Sequence, residues 1–280
     1  MYIAVDIGGT KTLVAKFDDD GNIIGQNKCL TDKNYDVFIK NLCETILKTV
    51  EHDSSELKGV AIAAPGVVDY ANNKFESFGN LDWENVDLKE GICINVRNVP
   101  VLIDNDANFG ALGEANLGSG KEYRIVLYVT LSTGIGTGVT IDKKIDPSLA
   151  RSEGGQMHFK QDGKLLTWEK IASGKAFYER YGKMGSEIDD PKIWKEYAED
   201  VSMGIGSLVA VIQPDVVVIG GSMGEYLDKY KTFLEKALNQ NKSKVVTIPP
   251  IVKAKDANNA VIYGCFIGVK RYAGTGIQAF

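Results

Sequence analysis

Three glycine turns, each directly after an apolar run, are the parts of this sequence best suited to chemistry. They are Asp6-Ile7-Gly8-Gly9-Thr10-Lys11, Leu131-Ser132-Thr133-Gly134-Ile135-Gly136-Thr137-Gly138 and Ile219-Gly220-Gly221-Ser222. Glycine has no Cβ to keep an anion away, and successive backbone N–H groups can form a nest around a phosphate. The Thr and Ser side chains add hydroxyl donors. Taken singly, each turn reads as an ordinary tight turn. Residues 134–138 are not a Walker loop, because no Gly-Lys-Ser/Thr follows at the required spacing. The first turn is not a dinucleotide fingerprint either, because a strand rather than a helix comes next. Asp6 ends an apolar strand just before a glycine pair. It either caps that turn or holds Mg²⁺ through water, since Mg²⁺ keeps several waters and takes only one or two carboxylates. Asp104-Asn105-Asp106 ends another apolar run, and there Asp106 reads as the N-cap of the helix that follows.

The elements that must position these residues follow from periodicity. Tyr2–Asp6, Thr12–Phe17 and Ile23–Cys29 read as strands, with a hairpin-type turn at Asp18–Gly21. Phe38, Leu42, Ile46 and Val50 recur every four residues, which predicts an amphipathic helix of about sixteen residues. Val60–Ala64 and Val99–Ile103 are short apolar strands, and Ala107–Leu117 reads as a helix. Residues 125–142 repeat the opening design: Asp6 to Asp18 and Thr130 to Asp142 are equally spaced and frame the same strand–turn–strand shape. Residues 143–167 are polar and read as irregular, a candidate mobile loop. Helices are expected over Trp168–Arg180, Trp194–Ile212, 223–239 and about 258–272, with strands at Val216–Ile219 and near 250. Strands and helices mix throughout, so the class is α/β.

Composition sets the outer bounds. The chain has 280 residues, 44% hydrophobic and 25% charged, ordinary values for a soluble protein of roughly two domains. Its net charge of −5 does not point to nucleic acid or an anionic membrane as partner. No apolar run is long enough to span a bilayer, and residues 1–20 lack a basic start followed by an apolar stretch. A cytoplasmic soluble protein is expected. The four cysteines, Cys29, Cys43, Cys93 and Cys265, are too scattered for a disulfide framework or a close metal knuckle.

Asp6–Lys11 is similar to the phosphate loop of the sugar kinase–Hsp70–actin superfamily. Ala64-Pro65-Gly66-Val67-Val68-Asp69, Gly79-Asn80-Leu81-Asp82-Trp83, Asn105-Asp106-Ala107-Asn108, Ser132–Gly136 and Ile219-Gly220-Gly221 follow in order. Together they resemble the ROK family (repressor, open reading frame, kinase), especially its bacterial glucokinases, over residues 2 to about 270. The resemblance implies a two-lobed actin-like, ribonuclease-H-like ATPase fold with a central cleft. Its lobes would be residues 1–116, with a returning helix at about 258–272, and residues 117–257. It implies ATP and Mg²⁺ as cofactors, with Asp6 on the metal through water. It makes Asp106 the general base and Gly66, Asn80, Asn105 and Asp106 sugar contacts. Gly8, Gly9, Thr10 and Lys11, with Ser132, Thr133 and Gly134, would line the phosphates, and Gly220, Gly221 and Ser222 would meet the adenosine side. A homodimer is expected on the same ground.

The sequence departs from the family at one stretch. Many members carry Glu-x-Gly-His and then a zinc motif, Cys-x-Cys-Gly-x-x-Gly-Cys-x-Glu. Here the first is Glu153-Gly154-Gly155-Gln156. With Gly163 on the motif glycine, Lys160, Asp162 and Thr167 stand where the cysteines belong, and Glu169 falls on the final glutamate. Tetrahedral zinc needs thiolates or imidazoles, so no structural zinc is expected. Glu153 and Glu169, the motif's sugar-binding carboxylates, remain. Gln156 can still hydrogen-bond a hydroxyl through either end of its amide. His158 could be an offset partner or a plain surface residue.

The resemblance therefore implies transfer of phosphate from ATP to the 6-hydroxyl of a hexose, D-glucose first. N-acetylmannosamine or fructose are the alternative substrates. A sugar-responsive repressor is a remote alternative: such members add an N-terminal helix-turn-helix, for which a first strand beginning at Tyr2 leaves no room.

Overall fold

Two largely buried strands and a third that alternates between its faces make the first thirty residues a meander. β1 (Tyr2–Ile7) pairs antiparallel with β2 (Lys11–Phe17), and β2 pairs with β3 (Ile23–Leu30). The β2–β3 turn is closed by Asp18, whose Oδ1 accepts from the backbone N–H groups of Asp20 and Asn22. α1 (Tyr35–Thr49) follows, N-capped by Asn34, with Phe38, Leu42 and Ile46 fully buried on one stripe. Each such side chain contributes about 1.5–3 kcal/mol by leaving water. Next come β4 (Val60–Ala64), the hairpin β5 (Gly66–Asp69) and β6 (Lys74–Phe78), α2 (Leu88–Val96), β7 (Val101–Asn105) and α3 (Asp106–Leu117).

The second half opens with β8 (Ile125–Leu131), β9 (Ile135–Ile141) and β10 (Lys144–Ile145). The hairpin β11 (His158–Gln161) and β12 (Lys164–Thr167), α4 (Trp168–Ala172), α5 (Gly174–Tyr181) and α6 (Pro191–Ile212) come next. β13 (Val216–Gly220), α7 (Leu227–Asn241), β14 (Ile251–Lys253) and α8 (Ala260–Thr275) complete the chain. The computed structural model describes residues 1–51, 55–72, 74–79, 81–83, 86–96, 99–256 and 259–275, the side chains of 93–96 apart. Asn80 and the expected helix start at 258 lie outside them.

The chain divides into two units, Met1–Gly113 with Val261–Phe280, and Glu114–Ala260. The first unit's sheet runs β3-β2-β1-β4-β7 and the second's β10-β9-β8-β13-β14. In each, the central strand has an antiparallel meander on one side and two parallel strands on the other. The equal spacing of the two strand–turn–strand segments thus reflects a duplicated sheet. Each sheet packs its own core, Phe38, Leu42 and Ile62 in the first and Trp168, Trp194 and Ile205 in the second. Among the described residues no helix is long and apolar enough to cross a membrane.

Two local expectations need correction. Residues 143–167 are not irregular: they hold β10, a 3-10 turn at Gly154–Gln156 and the β11–β12 hairpin. That hairpin is closed by Asp162 and Gly163, both at positive φ (49° and 78°), the geometry of a two-residue I′ turn. The helix expected over Trp168–Arg180 is two helices, broken where Ser173 turns extended and caps α5 through its Oγ. The β5–β6 hairpin and α2 carry no clear period and are read only from the structure.

Candidate active site

In the first unit the parallel strands β1, β4 and β7 end together, and the side chains of interest gather at that edge. Asp6 is in register with Ala63, and Ala63 with Asp104, so the two carboxylates stand on one line across three strands. Ligands of parallel α/β sheets bind at this carboxyl edge. β1 runs into the Gly8–Lys11 turn, where the Gly8 N–H meets the Lys11 carbonyl at 3.1 Å and Gly9, Thr10 and Lys11 stay exposed. β7 runs into Asn105 and Asp106. The Asn105 Oδ1 accepts the Ala107 N–H at 2.8 Å, and the Asp106 Oδ1 accepts the same N–H at 2.8 Å. Asn105 therefore takes the N-cap position, and Asp106 is the first helical residue rather than the cap. The Asn105 Nδ2 donates to the Gly66 carbonyl at 3.0 Å, which fixes the amide against the start of β5.

Crowded carboxylates with little water become basic. Burial, and then the negative charge of Asp106, push the Asp6 carboxyl up to about 7. Burial also pushes Asp104 up to about 6, against hydrogen bonds from Asn108, Tyr70 and the Asn105 N–H. Asp106 is pushed up by burial, while the Ala107 N–H pulls it back. A carboxylate of raised pKa is a better general base near neutral pH. Among the described residues no three His, Cys, Asp or Glu side chains are grouped to hold a metal ion. One acidic group beside an exposed glycine turn still suits water-mediated Mg²⁺, and a cation there would relieve the repulsion Asp6 feels from Asp106.

In the second unit the ends of β8 and β13 lie side by side, with Gly220 in register with Thr130. This places the Ser132–Gly134 and Gly220–Ser222 turns on one edge. The Ser132 N–H donates to the Gly134 carbonyl at 2.9 Å, and the Ser132 carbonyl accepts the Gly174 N–H at 2.7 Å, tying the turn to the start of α5. The Glu169 Oε2 accepts the Ile135 N–H at 2.9 Å, and a Cβ on Gly134 would collide with that carboxylate. Glu169 thus supports the turn. Gly154 donates its N–H to the Thr137 Oγ1 at 3.0 Å, which sets Glu153 and Gln156 on the exposed side of the 3-10 turn. His158 is also exposed, opposite Thr167 in the hairpin.

The ROK family profile matches residues 2–271 of this sequence. The chain belongs to the ROK family. A glucokinase of Streptomyces coelicolor is 27% identical over 268 residues, covering 80% of this chain and 83% of its own. The xylose repressor of Caldicellulosiruptor bescii is 26% identical over 264 residues, covering 80% of this chain and 65% of the repressor. Among solved structures, a ROK family glucokinase from Streptomyces griseus, in complex with glucose and AMPPNP, superposes with a TM-score of 0.81 at 23% identity, covering 94% of this chain and 97% of that one. The fold is accordingly the actin-like ATPase fold of ROK sugar kinases.

In this ROK chain the positions of the zinc cysteines have other work. Lys160 pairs with Leu165 across the hairpin, Asp162 forms its turn, and the Thr167 Oγ1 caps α4 by accepting the Lys170 N–H. Lys, Asp and Thr are not a zinc donor set. The hairpin is held instead by Asp200 of α6, which accepts from the Gln161 Nε2 at 2.9 Å and pairs with Arg180. The residues that sequence reasoning missed are Tyr70, Asp104 and Asn108. Asp104 showed only as the end of an apolar strand, and Tyr70 gave no signal.

Proposed function

We propose that this ROK-family chain is an ATP-dependent kinase that phosphorylates the 6-hydroxyl of a hexose, D-glucose first among the candidates. The observation that carries the reading is Asp106: a basic carboxylate held at the carboxyl edge of parallel strands, beside an Asn105 amide anchored to Gly66. Phosphoryl transfer asks little covalent chemistry of a protein beyond positioning, charge stabilisation and a carboxylate for the nucleophile's proton. Asp106 takes the proton from the sugar hydroxyl. The sugar oxygen forms its bond to the γ-phosphorus as the bridging bond to the β-phosphate breaks, and ADP leaves.

Gly66, Asn105 and the residue after Gly79, Asn80, contact sugar hydroxyls in this reading, as do Glu153, Gln156 and Glu169. Gly8–Lys11 and Ser132–Gly134 take the phosphates through backbone N–H and hydroxyl groups, and Gly220–Ser222 faces the nucleoside. Magnesium bound with ATP would offset the phosphate charge, with Asp6 holding its waters.

A panel of D-glucose, N-acetylmannosamine and D-fructose in a coupled ADP-release assay tests the proposal. Sugar-dependent ADP release supports it and ranks the substrates. ATP turnover without any sugar requirement would sink it, as would salt-sensitive, sequence-specific DNA binding with no turnover.

A further inference from the structure

Two consecutive residues of β7 grip the two ends of the four-residue strand β5. At its start, Asn105 donates from Nδ2 to the Gly66 carbonyl at 3.0 Å. Just past its end, the Tyr70 hydroxyl donates to the Asp104 Oδ1 at 2.9 Å. That same oxygen accepts the Asn108 Nδ2 at 2.9 Å and the Asn105 backbone N–H at 2.7 Å. Asn108 also reaches the Tyr70 hydroxyl at 3.2 Å. Three donors thus converge on one oxygen of a carboxylate that is 4% exposed. Only an acceptor with several lone pairs and negative charge suits that arrangement.

We propose that Asp104 is a positioning residue for phosphoryl transfer, and that Tyr70 is its latch on the β5–β6 hairpin. The inference rests on the sugar-kinase reading above. Asp104 touches no reacting atom. It acts through three neighbours: the Asn105 backbone, Asn108 in the first turn of α3, and Tyr70. The first two set the direction in which Asp106 leaves β7. The third sets where β5 lies, and with it Gly66 and the strand β6 that leads to Gly79. A Cβ on Gly66 would strike the Ser77 carbonyl, so β6 lies tight on β5 and the hairpin moves as one piece. One buried carboxylate therefore couples the base to the segment that recognises the substrate.

The two arms of the network make separable predictions. Tyr70→Phe keeps the ring and removes only the latch. It should raise KM for the sugar about tenfold, the cost of one hydrogen bond to a charged group, with kcat within about twofold and KM for ATP unchanged. Asp104→Asn keeps the size and weakens the acceptor for all three donors. It should lower kcat at least about tenfold by misplacing Asp106. Because both act through one oxygen, the double variant should lose little more in kcat/KM than Asp104→Asn alone. Wild-type and variant chains are assayed with the sugar that the panel selects, and backbone hydrogen exchange is followed over residues 66–70. Faster exchange confined to that segment in Tyr70→Phe supports the latch. Additive losses would overturn the proposal, as would parallel changes in the sugar and ATP constants. A wild-type chain with no sugar-dependent ADP release would overturn the kinase reading itself, and the positioning role with it.

Discussion

The Glu169 carboxylate accepts the Ile135 backbone N–H at 2.9 Å and occupies the space that a Cβ on Gly134 would need. A carboxylate thus ties down the turn that the proposed function assigns to the phosphates. One carboxylate oxygen, Oε2, is taken up by the turn's own N–H group, and the glycine lets the two approach.

Gly134→Ala should therefore push Glu169 off the Ile135 N–H and distort the turn while the sheet stays intact. Loss of about 10–100-fold in kcat/KM for ATP is expected, since misplacement by an ångström costs that much in an aligned transfer. KM for the sugar should also rise, because the displaced Glu169 is a sugar contact in the proposed function, but by less than the loss on ATP. Steady-state kinetics with ATP varied at saturating sugar measures this, and equal loss on both substrates would argue against a phosphate role for the turn.

Asp106→Asn tests the base. The amide keeps the size and can still accept the Ala107 N–H, so α3 should start unchanged. Removing a general base costs about 10²–10⁴-fold. Turnover should fall by that factor while sugar binding, followed by calorimetry, stays near wild type. Near-normal turnover would remove Asp106 from the mechanism.

Stability without metal or nucleotide should fall between about pH 4 and 7, from the unfolded pKa of the two acids to the higher native one. Asp6 at about 7 and Asp104 at about 6 both lie above the ordinary 3.8 of the unfolded chain. A group whose pKa is raised on folding binds its proton more tightly in the native state. Its contribution is full below the unfolded pKa and is lost as pH rises through the native one. The exposed acids held below the usual range, Asp18 and Asp69 among them, are mostly ionised throughout that window. A drop in Tm of about 5 °C across it, read by scanning calorimetry, is the expected scale. Asp6→Asn should flatten the slope and raise Tm at pH 8.

What was legible in the sequence depended on whether the cause was local. The β1–β2 and β8–β9 pairs announce themselves by apolar runs around a glycine turn, and the α1 stripe by its period, because it buries one face of the helix. The carboxyl-edge position of Asp6 and Asp106 follows from an acid placed at the end of an apolar run. The break at Ser173 carries a local sign, a capping Ser followed by Gly, and is fixed where the Gly174 N–H meets the Ser132 carbonyl, some forty residues away in sequence. The β11–β12 hairpin did carry a turn signal, Asp162-Gly163. Its strands hide because Leu165 is 69% exposed and no apolar face alternates. The Tyr70–Asp104 bond joins a hairpin to a strand end, and neither segment alone predicts the other.

The pairing of Asp200 with Arg180 and Gln161 gives the last prediction. Burial pushes the Asp200 carboxyl up, and the Arg180 guanidinium, then Gln161, pull it back. Its side chain is 7% exposed, so an acceptor removed here is not replaced by free water. Asp200→Ala strands the Arg180 guanidinium and the Gln161 amide together. Loss of one member of a largely buried pair costs several kcal/mol, and Arg180 is about a third exposed, which softens it. About 2–3 kcal/mol is expected from urea unfolding, with faster hydrogen exchange over residues 158–167. The Trp168 indole N–H bonds to the backbone carbonyl of Asp200 at 3.1 Å, so that contact should survive the substitution. An unchanged unfolding midpoint would mean that the hairpin is held by the packing of Phe159, Leu166 and Trp168 instead.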